Sequence, residues 1–280
     1  MSTKVAYLGP EGTYAEKAAH SFAKLEKLKN PLFVPCVGLR SVIEHAANKL
    51  CDAAVVPIEN SVEGGVTASL DALWSHPDLF IRRALVLPIR HCLLSSGSIN
   101  EISEVLSHPQ ALAQCSQWLN KHLPNALQLP TNSTAEAVKM VKNSKFRAAI
   151  ASKPTENLTD LNELAYPIND VAGNRTRFIL LQNDELQQTG EIASLAFSLR
   201  ANRPGSLLKA LSYISNLGLN MSRIESRPSK RELGEYVFFV DLELSNSAEG
   251  SHLRLIKVLK PLCEHLVHFG TYTSTTIETK

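Results

Sequence analysis

The chain has 280 residues, of which 44% are apolar and 20% charged, and its formal net charge is +2. This length exceeds the roughly 100–200 residues of a typical domain, so we expect two or three hydrophobic cores. No apolar run approaches the roughly 18–20 residues that a membrane span needs, and the small, dispersed positive charge gives no footprint for a nucleic acid. The composition favours an ordinary soluble protein and disfavours membrane-spanning and nucleic-acid-binding classes.

The N-terminus and the cysteines predict the cellular compartment. A strand-like run at residues 5–8 begins almost at once, which leaves no room for a signal peptide. The five cysteines are far apart and form no Cys-x-x-Cys pair, which disfavours a disulfide framework or a zinc site. We therefore expect a cytoplasmic protein with reduced core thiols and no bound metal.

From residue 4 to about 182, short apolar runs alternate with segments of helical periodicity. Strands are predicted at 5–8, 33–37, 53–56, 105–106, 148–150 and 178–181, and helices around 15–23, 42–50, 112–119 and 135–141. Two helix starts have the Ser/Thr-x-x-Glu spacing of a capping box, Thr13 with Glu16 and Ser133 with Glu136. Strands that alternate with helices predict an α/β architecture with a largely parallel sheet.

The pattern changes after a polar, glycine-terminated stretch that ends at Gly190. Beyond it the chain predicts strand 193–200, helix 205–216, strands 220–226 and 235–244, helix 249–259 and strand 264–272. The order βαββαβ is that of a ferredoxin-like module. We therefore predict three segments: 1–183, a linker at 184–192, and a small domain at 193–280.

Polar residues gather where the predicted strands of the first segment end, the usual place for ligands in an open α/β sheet. Glu59, Asn60 and Ser61 follow the third strand, and Ser107 follows a later one, with Gln114 one turn into the next helix. The stretch GNRTRF at 173–178 sets a threonine hydroxyl between two guanidinium groups, which suit carboxylates. Any one of these groups could be a helix cap or a solvated side chain. Together they predict a pocket for a small polyanion.

Three other polar features are not interpreted as catalytic or ligand-binding sites. Gly9-Pro10-Glu11-Gly12 lacks both dinucleotide and phosphate-loop spacing, so a nucleotide site is disfavoured. His91 stands beside apolar residues and is interpreted as a structural, half-buried histidine. His108, before Pro109, is interpreted as a turn residue.

Five segments together resemble the motifs of prephenate dehydratases, in the family's order and over nearly the whole chain: VAYLGPEGTY at 5–14, PIENS at 57–61, SHPQ at 107–110, NRTRF at 174–178 and IESRP at 224–228. The resemblance implies a catalytic region of two α/β lobes with a cleft between them, like the type II periplasmic-binding fold. It further implies that residues 193–280 form an ACT regulatory domain, in agreement with the βαββαβ order.

The implied reaction is the conversion of prephenate to phenylpyruvate, carbon dioxide and water, a lyase reaction driven by aromatisation and needing no cofactor. By resemblance, Thr176 lies at the departing ring hydroxyl, and we expect it to donate a hydrogen bond there. Glu59 is the alternative proton donor if it is buried and held protonated. Arg177 is our candidate for the carboxylate clamp. The other expected site residues are Asn60, Ser107 and Gln114 in catalysis and Thr13, Ser61 and Phe178 in substrate binding.

The resemblance also implies feedback inhibition by phenylalanine, bound where two ACT domains pair in a homodimer or homotetramer. The expected effector residues are Gly205, Ser206, Leu207, Asn220, Met221, Glu225, Ser226, Arg227 and Pro228. Ser206 replaces the alanine that is usual in the family, which bears on effector affinity.

Two alternative functions stay open. Arogenate dehydratase acts on a substrate with an amino group in place of the keto oxygen. A non-enzymatic amino-acid-sensing protein would share the fold without needing Thr176.

Overall fold

The computed structural model describes residues 2–153, 160–184, 189–201, 203–245 and 247–278. The helices are α1 (Tyr14–Leu25), α2 (Leu39–Ala47), α3 (Thr67–Trp74), α4 (Pro109–Ala113), α5 (Ser116–His122), α6 (Thr134–Val141), α7 (Ser206–Asn216) and α8 (Ser251–Leu259). The strands are β1 (Lys4–Leu8), β2 (Leu32–Cys36), β3 (Ala53–Asn60), β4 (Gly64–Gly65), β5 (Phe80–Pro88), β6 (His91–Ser95), β7 (Glu104–Ser107), β8 (Leu127–Pro130), β9 (Arg147–Ser152), β10 (Asn162–Ala165), β11 (Arg175–Gln182), β12 (Ile192–Leu199), β13 (Asn220–Pro228), β14 (Tyr236–Glu243) and β15 (Cys263–Thr276).

The first lobe contains α1 to α3 and a sheet in the order β2-β1-β3-β11-β5. Strands β1, β2, β3 and β5 run in the same direction, and β11 is antiparallel to both of its neighbours, β3 and β5. The predicted parallel direction therefore holds for four of these five strands. Strand β11 departs from it because it brings the chain back from the second lobe and enters the sheet from the opposite end. Buried alanines and Phe22 of α1 cover one face, and α2 and α3 cover the other.

The second lobe contains α4 to α6 and a sheet in the order β10-β6-β9-β7-β8. The chain enters this lobe between β5 and β6 and leaves it between β10 and β11. Strands β5 and β6 were not predicted, since short apolar runs fit a strand or a buried helix equally well. The two crossings hold the lobes side by side, and the two-lobed α/β fold is confirmed.

Strands β12 to β15 with α7 and α8, the C-terminal unit, follow the predicted βαββαβ order. Their sheet order, β13-β14-β12-β15, is that of a ferredoxin-like fold, which is confirmed. Helices α7 and α8 pack on one face of this sheet. The other face carries Phe239, Phe269 and Tyr272, which pack against Leu70 and Leu73 of α3 in a core shared with the first lobe.

Strand β15 joins the two sheets into one of ten strands. Its first part pairs antiparallel with β12, and its last four residues, 273–276, pair parallel with β5 of the first lobe. The predicted strand ended at residue 272. Residues 273–276 were assigned to the small domain, but they pair with the sheet of the first lobe. The division into 1–183, 184–192 and 193–280 stays a prediction, and residues 185–188 of the linker lie outside the described residues.

No helix in the described part of the chain is long and apolar enough to cross a membrane. All five cysteines are free and buried, as predicted. Within the described ranges, no group of three or more His, Cys, Asp or Glu side chains could hold a metal ion. The cytoplasmic location stays a prediction.

Candidate functional site

A cleft of about 640 Å³ lies between the two lobes. It is lined by the first residues of α1, α2, α3, α4 and α6, by β4, and by side chains from β3, β6 and β11. Five of the predicted site residues line it: Thr13, Asn60, Gln114, Thr176 and Phe178.

Asn60 and Thr176 form a cross-strand pair at the end of β3 and the start of β11. Two backbone N–H groups, of Val62 and Glu63, each donate to Asn60 Oδ1 at 2.9 Å. The amide nitrogen of Asn60 donates in turn to Thr176 Oγ1 at 2.9 Å. Because the threonine oxygen accepts this bond, its own proton is free to be donated elsewhere.

A chain of hydrogen bonds continues from Asn60 into the second lobe. Asn60 Nδ2 donates to Asn174 Oδ1 at 2.8 Å, and Asn174 Nδ2 donates to Gln114 Oε1 at 3.0 Å. Gln114 Oε1 also lies 3.0 Å from His91 Nε2, and Gln114 Nε2 donates to Glu63 Oε1 at 3.3 Å. Burial lowers the pKa of His91, and the hydrogen bond to Gln114 offsets only part of that lowering. The network joins both walls of the cleft through the amides of Asn60, Asn174 and Gln114.

The structure turns Arg177 and Glu59 away from the cleft. They too form a cross-strand pair, one register position from Asn60 and Thr176, and successive residues of a strand face opposite sides of the sheet. Arg177 Nη2 lies 2.7 Å from Glu59 Oε2 and 2.7 Å from Asp241 Oδ2 of β14. The assignment of Arg177 as a carboxylate clamp and of Glu59 as a proton donor disagrees with this placement.

These charges belong to a buried cluster between the first lobe and the C-terminal unit. Burial lowers the pKa of Arg177, but the charges of Asp241 and Glu59 outweigh burial, and its pKa is raised overall. Arg223 of β13 completes the cluster, 3.9 Å from both Glu59 and Asp241. Ser194 donates a hydrogen bond to the other oxygen of Asp241. Arg177 thus ties the strand that bears Thr176 to the C-terminal unit.

Three other predicted residues have local structural roles. Thr13 caps α1, accepting from Glu16 N and donating to Leu8 O, and its side chain borders the cleft. Ser107 is fully buried and donates to Ile150 O at 2.6 Å, and it does not line the cleft. Ser61 Oγ accepts from Arg175 N at 2.9 Å and also lies outside the lining.

Helix N-termini supply the positive potential of the cleft. The described residues that line it include no arginine or lysine, and Glu63 is their only carboxylate. Thr13 and Ser133 cap α1 and α6 as the sequence predicts, although Glu16 and Glu136 bond the residue before each cap. Helices α2 and α3 differ, because their N-caps, Gly38 and Val66, provide no side-chain hydrogen bond. Their first N–H groups are therefore the best placed to meet an anion.

The expected effector residues fall on separate parts of the C-terminal unit. Gly205 adopts a left-handed φ of +85° as the N-cap of α7, directly before Ser206 and Leu207. Asn220 and Met221 border a hollow of about 380 Å³ at the other end of that helix. An α7 of 11 residues sets the two places about 16 Å apart.

Strand β13 divides the remaining effector candidates between its two faces. Ser226 and Pro228 are exposed. Arg227 instead reaches the first lobe, where Asp71 of α3 accepts from its Nε at 3.1 Å and its Nη2 at 3.3 Å. The Glu225 carboxylate lies against Gly65, where an added Cβ would stand only 2.6 Å from Glu225 Oε2. The placement of Glu225 and Arg227 as effector ligands disagrees with these contacts to the first lobe.

Sequence reasoning missed Asn174 and undervalued His91. Asn174 was quoted within a motif but received no role, although it is buried and bridges Asn60 to Gln114. An asparagine directly before a strand that begins with Arg-Thr-Arg looks like a turn residue. Only the pairing of β11 with β3 brings it beside Asn60.

The family model and the curated relatives indicate one family. The family model described as prephenate dehydratase matches residues 5–186. The prephenate dehydratase of Lactococcus lactis subsp. cremoris is 39% identical, over 89% of this chain and 88% of that protein. That of Methanocaldococcus jannaschii is 37% identical, over 95% of both. A crystal structure of prephenate dehydratase from Arthrobacter aurescens, in complex with L-Phe, has a TM-score of 0.85 at 31% identity and covers 97% of this chain and 90% of that one.

We expect Arg177→Gln to lower the free energy of unfolding by about 3 kcal/mol, because it leaves the buried Asp241 carboxylate without its closest cation. Arg175→Gln is the matched control: it removes an exposed guanidinium two residues away on the same strand, and should change stability by less than about 0.5 kcal/mol. Urea unfolding of both variants measures the difference. Equal losses would contradict a specific role of the buried cluster.

Proposed function

The chain belongs to the prephenate dehydratase family, and we propose that it converts prephenate to phenylpyruvate in its interlobe cleft. The observation that carries the proposal is the Thr176 hydroxyl, which lines the cleft and accepts a hydrogen bond from Asn60. An oxygen that already accepts a bond directs its proton to another acceptor. The departing ring hydroxyl of prephenate is such an acceptor.

In the proposed reaction, the bond between the ring and its carboxylate breaks and releases carbon dioxide. The electron pair moves through the ring, which becomes aromatic, and the bond to the hydroxyl on the opposite carbon breaks. Thr176 donates to the developing hydroxide, and Asn60 strengthens that donation by polarising the threonine oxygen. The departing hydroxide takes up a proton from solvent and leaves as water, because a threonine at neutral pH does not itself give up its proton.

We assign the binding of the substrate carboxylates to helix N-termini instead of to Arg177. The cleft has no arginine or lysine among its described lining residues, and five helices begin there. Backbone N–H groups and the helix dipole favour an anion. Such a site also suits the chemistry, because a guanidinium would stabilise most strongly the carboxylate charge that decarboxylation disperses. Glu59, on the opposite face of β3, has no part in proton transfer in this scheme.

We further propose that phenylalanine inhibits the enzyme through the C-terminal unit. A relative with the same fold binds L-Phe. The residues at 205–207 and those at 220–221 lie at opposite ends of α7, too far apart for one amino acid to touch both in one chain. A second copy of the chain would bring one group against the other, which supports a homodimer, or a tetramer built from such dimers.

The path from the effector to the cleft, in this proposal, runs through β13. Glu225 packs on Gly65, which lines the cleft, and Arg227 binds Asp71 on α3, whose first residues line it as well. A shift of β13 would therefore move β4 and the N-terminus of α3. Inhibition requires that phenylalanine bind more tightly to the state in which these elements are displaced.

Arogenate dehydratase is the second candidate, and one observation favours it. Glu63 is the only carboxylate among the described lining residues, and it could pair with the ammonium group that arogenate carries in place of the keto oxygen. The ratio of kcat/KM for the two substrates decides between the candidates. A sensor without catalysis would turn over neither.

With prephenate as substrate, we expect the purified protein to form phenylpyruvate, and Thr176→Ala to lower kcat by about 10²–10³-fold, because one donor to the leaving oxygen is lost. Thr176→Ser keeps the hydroxyl and should stay within about tenfold of the wild type. Absorbance of phenylpyruvate in alkali follows the reaction. Near-normal turnover by folded Thr176→Ala would remove this residue from the chemistry.

Val66→Asp and Val66→Asn should separate helix capping from charge at the start of α3. Both residues can cap the helix, so each should raise the free energy of unfolding by about 1 kcal/mol. Only the aspartate places a negative charge where we expect a substrate carboxylate, and it should raise KM about tenfold or more above that of the asparagine variant. Steady-state kinetics and thermal unfolding measure the two effects. Equal KM values in the two variants would place the anion elsewhere.

Asp71→Asn and Arg227→Gln should weaken inhibition by phenylalanine to a similar extent, because both break the same contact between β13 and α3. Lys230→Gln, which removes a more exposed partner of Asp71, is the control and should have a smaller effect. Inhibition curves and calorimetric binding of phenylalanine are measured together. Lost phenylalanine binding in Arg227→Gln alone, with Asp71→Asn unaffected, would make Arg227 an effector ligand.

A further inference from the structure

His91 is a buried side chain of the second lobe that lines the cleft and has no part in the proposed chemistry. The chain after β10 holds its backbone in place: His91 N donates to Asn169 Oδ1 at 2.7 Å, and His91 O accepts from Ile168 N at 3.0 Å. The ring of Tyr14, from the first lobe, lies edge-on to the imidazole with centroids 6.3 Å apart. The imidazole therefore occupies a fixed position where the two lobes meet.

The donor and acceptor of every hydrogen bond between Thr176 and His91 can be assigned from Asn60 Oδ1, whose role as an acceptor is fixed. Two backbone N–H groups donate to Asn60 Oδ1, and a backbone N–H can only donate. The amide nitrogen of Asn60 must then face Asn174 Oδ1 and Thr176 Oγ1. It follows that the amide nitrogen of Asn174 faces Gln114, and that Gln114 presents its oxygen to Asn174.

The same oxygen of Gln114 faces the imidazole. Because an amide oxygen can only accept, His91 Nε2 must carry the hydrogen, which fixes the tautomer. The other ring nitrogen, Nδ1, is then a bare lone pair, and it is buried without a hydrogen-bond partner among the described residues. The lowered pKa of His91 agrees with an imidazole that stays neutral near pH 7.

We propose that His91 is a positioning residue, which holds the Gln114 oxygen toward Asn174 and so turns the Gln114 amide hydrogens toward the substrate. This inference rests on the proposed function. With both donors in place, Gln114 has one orientation, with its nitrogen on the side of Glu63 at the cleft. Without the histidine donor, only one bond to Asn174 orients the Gln114 oxygen. The amide can then rotate, and Asn174 loses the partner that aligns it with Asn60.

Two substitutions at position 91 test this role. Glutamine can place an N–H close to where His91 Nε2 lies, whereas asparagine is too short and reaches only the position of Nδ1. We expect His91→Gln to keep kcat within about threefold of the wild type and His91→Asn to lower it by about ten- to thirtyfold, since one hydrogen bond that orients the site is lost. A histidine that transferred protons itself would leave both variants equally impaired, which would overturn the inference.

A double-variant comparison separates positioning from a general structural role. If His91 acts through Gln114, then His91→Asn should have little further effect on kcat once Gln114→Met has removed the amide. Independent multiplication of the two losses would overturn the inference. Thermal unfolding of each variant measures the change in stability. Losses of kcat that simply followed the losses of stability would indicate a general structural role and overturn the inference.

The tautomer is tested without any substrate. In ¹⁵N-histidine-labelled wild-type protein, the resonance that His91→Gln removes should report a neutral ring with the hydrogen on Nε2. A ring protonated on Nδ1, or a mixture of tautomers, would overturn the assignment. Wild-type protein that turns over neither prephenate nor arogenate would instead refute the proposed function, and the NMR result would still decide the hydrogen-bond polarity.

Discussion

The pairing of β3 with β11 is the constraint on which both halves of this molecule depend. Two adjacent register positions bring Asn60 opposite Thr176 and Glu59 opposite Arg177. Because neighbouring residues of a strand face opposite sides of the sheet, the first pair lies in the cleft and the second faces the C-terminal unit. A shift of one residue in this register would exchange the two faces. The same backbone contact therefore fixes the position of the Thr176 hydroxyl in the cleft and the attachment of the C-terminal unit.

The two faces of this sheet use opposite electrostatic solutions. The cleft combines amides, hydroxyls and helix N-termini. In the proposed mechanism these groups bind a dianion without a counter-charge that would resist the loss of carbon dioxide. The back of the sheet instead buries two guanidinium groups among the carboxylates of Glu59, Glu225 and Asp241. Burying ion pairs adds little to stability, but removing one partner is costly. Such a cluster therefore contributes more to fixing one docking geometry between the lobe and the C-terminal unit than to the free energy of their association.

The sequence predicted most elements, both helix caps and the order of the C-terminal unit, because these depend on local spacing. The predictions failed where a residue's role depends on the face of the sheet to which it points or on the strand with which its own strand pairs. The strand around 178–181 in fact begins at Arg175, and with that start the alternation alone would have grouped Thr176 with Phe178 and set Arg177 apart. The roles of Asn174 and His91 could not be predicted this way, because the chain that links them crosses between lobes. Nor does local pattern reveal that residues 273–276 pair with β5.

The pairing of residues 273–276 with β5 bears on whether the C-terminal unit and the two lobes can fold separately. The C-terminal unit supplies a strand to the sheet of the first lobe, apolar side chains such as Phe239 and Phe269 to its core, and the carboxylate that neutralises Arg177. A chain that ended near residue 183 would expose that core, leave β5 as an open edge and strand a buried charge. We therefore infer that the catalytic lobes need the C-terminal unit to fold. If the two parts do not fold independently, the proposed control by an effector must act through a change in how this shared core is packed, because a linker alone could not switch between them.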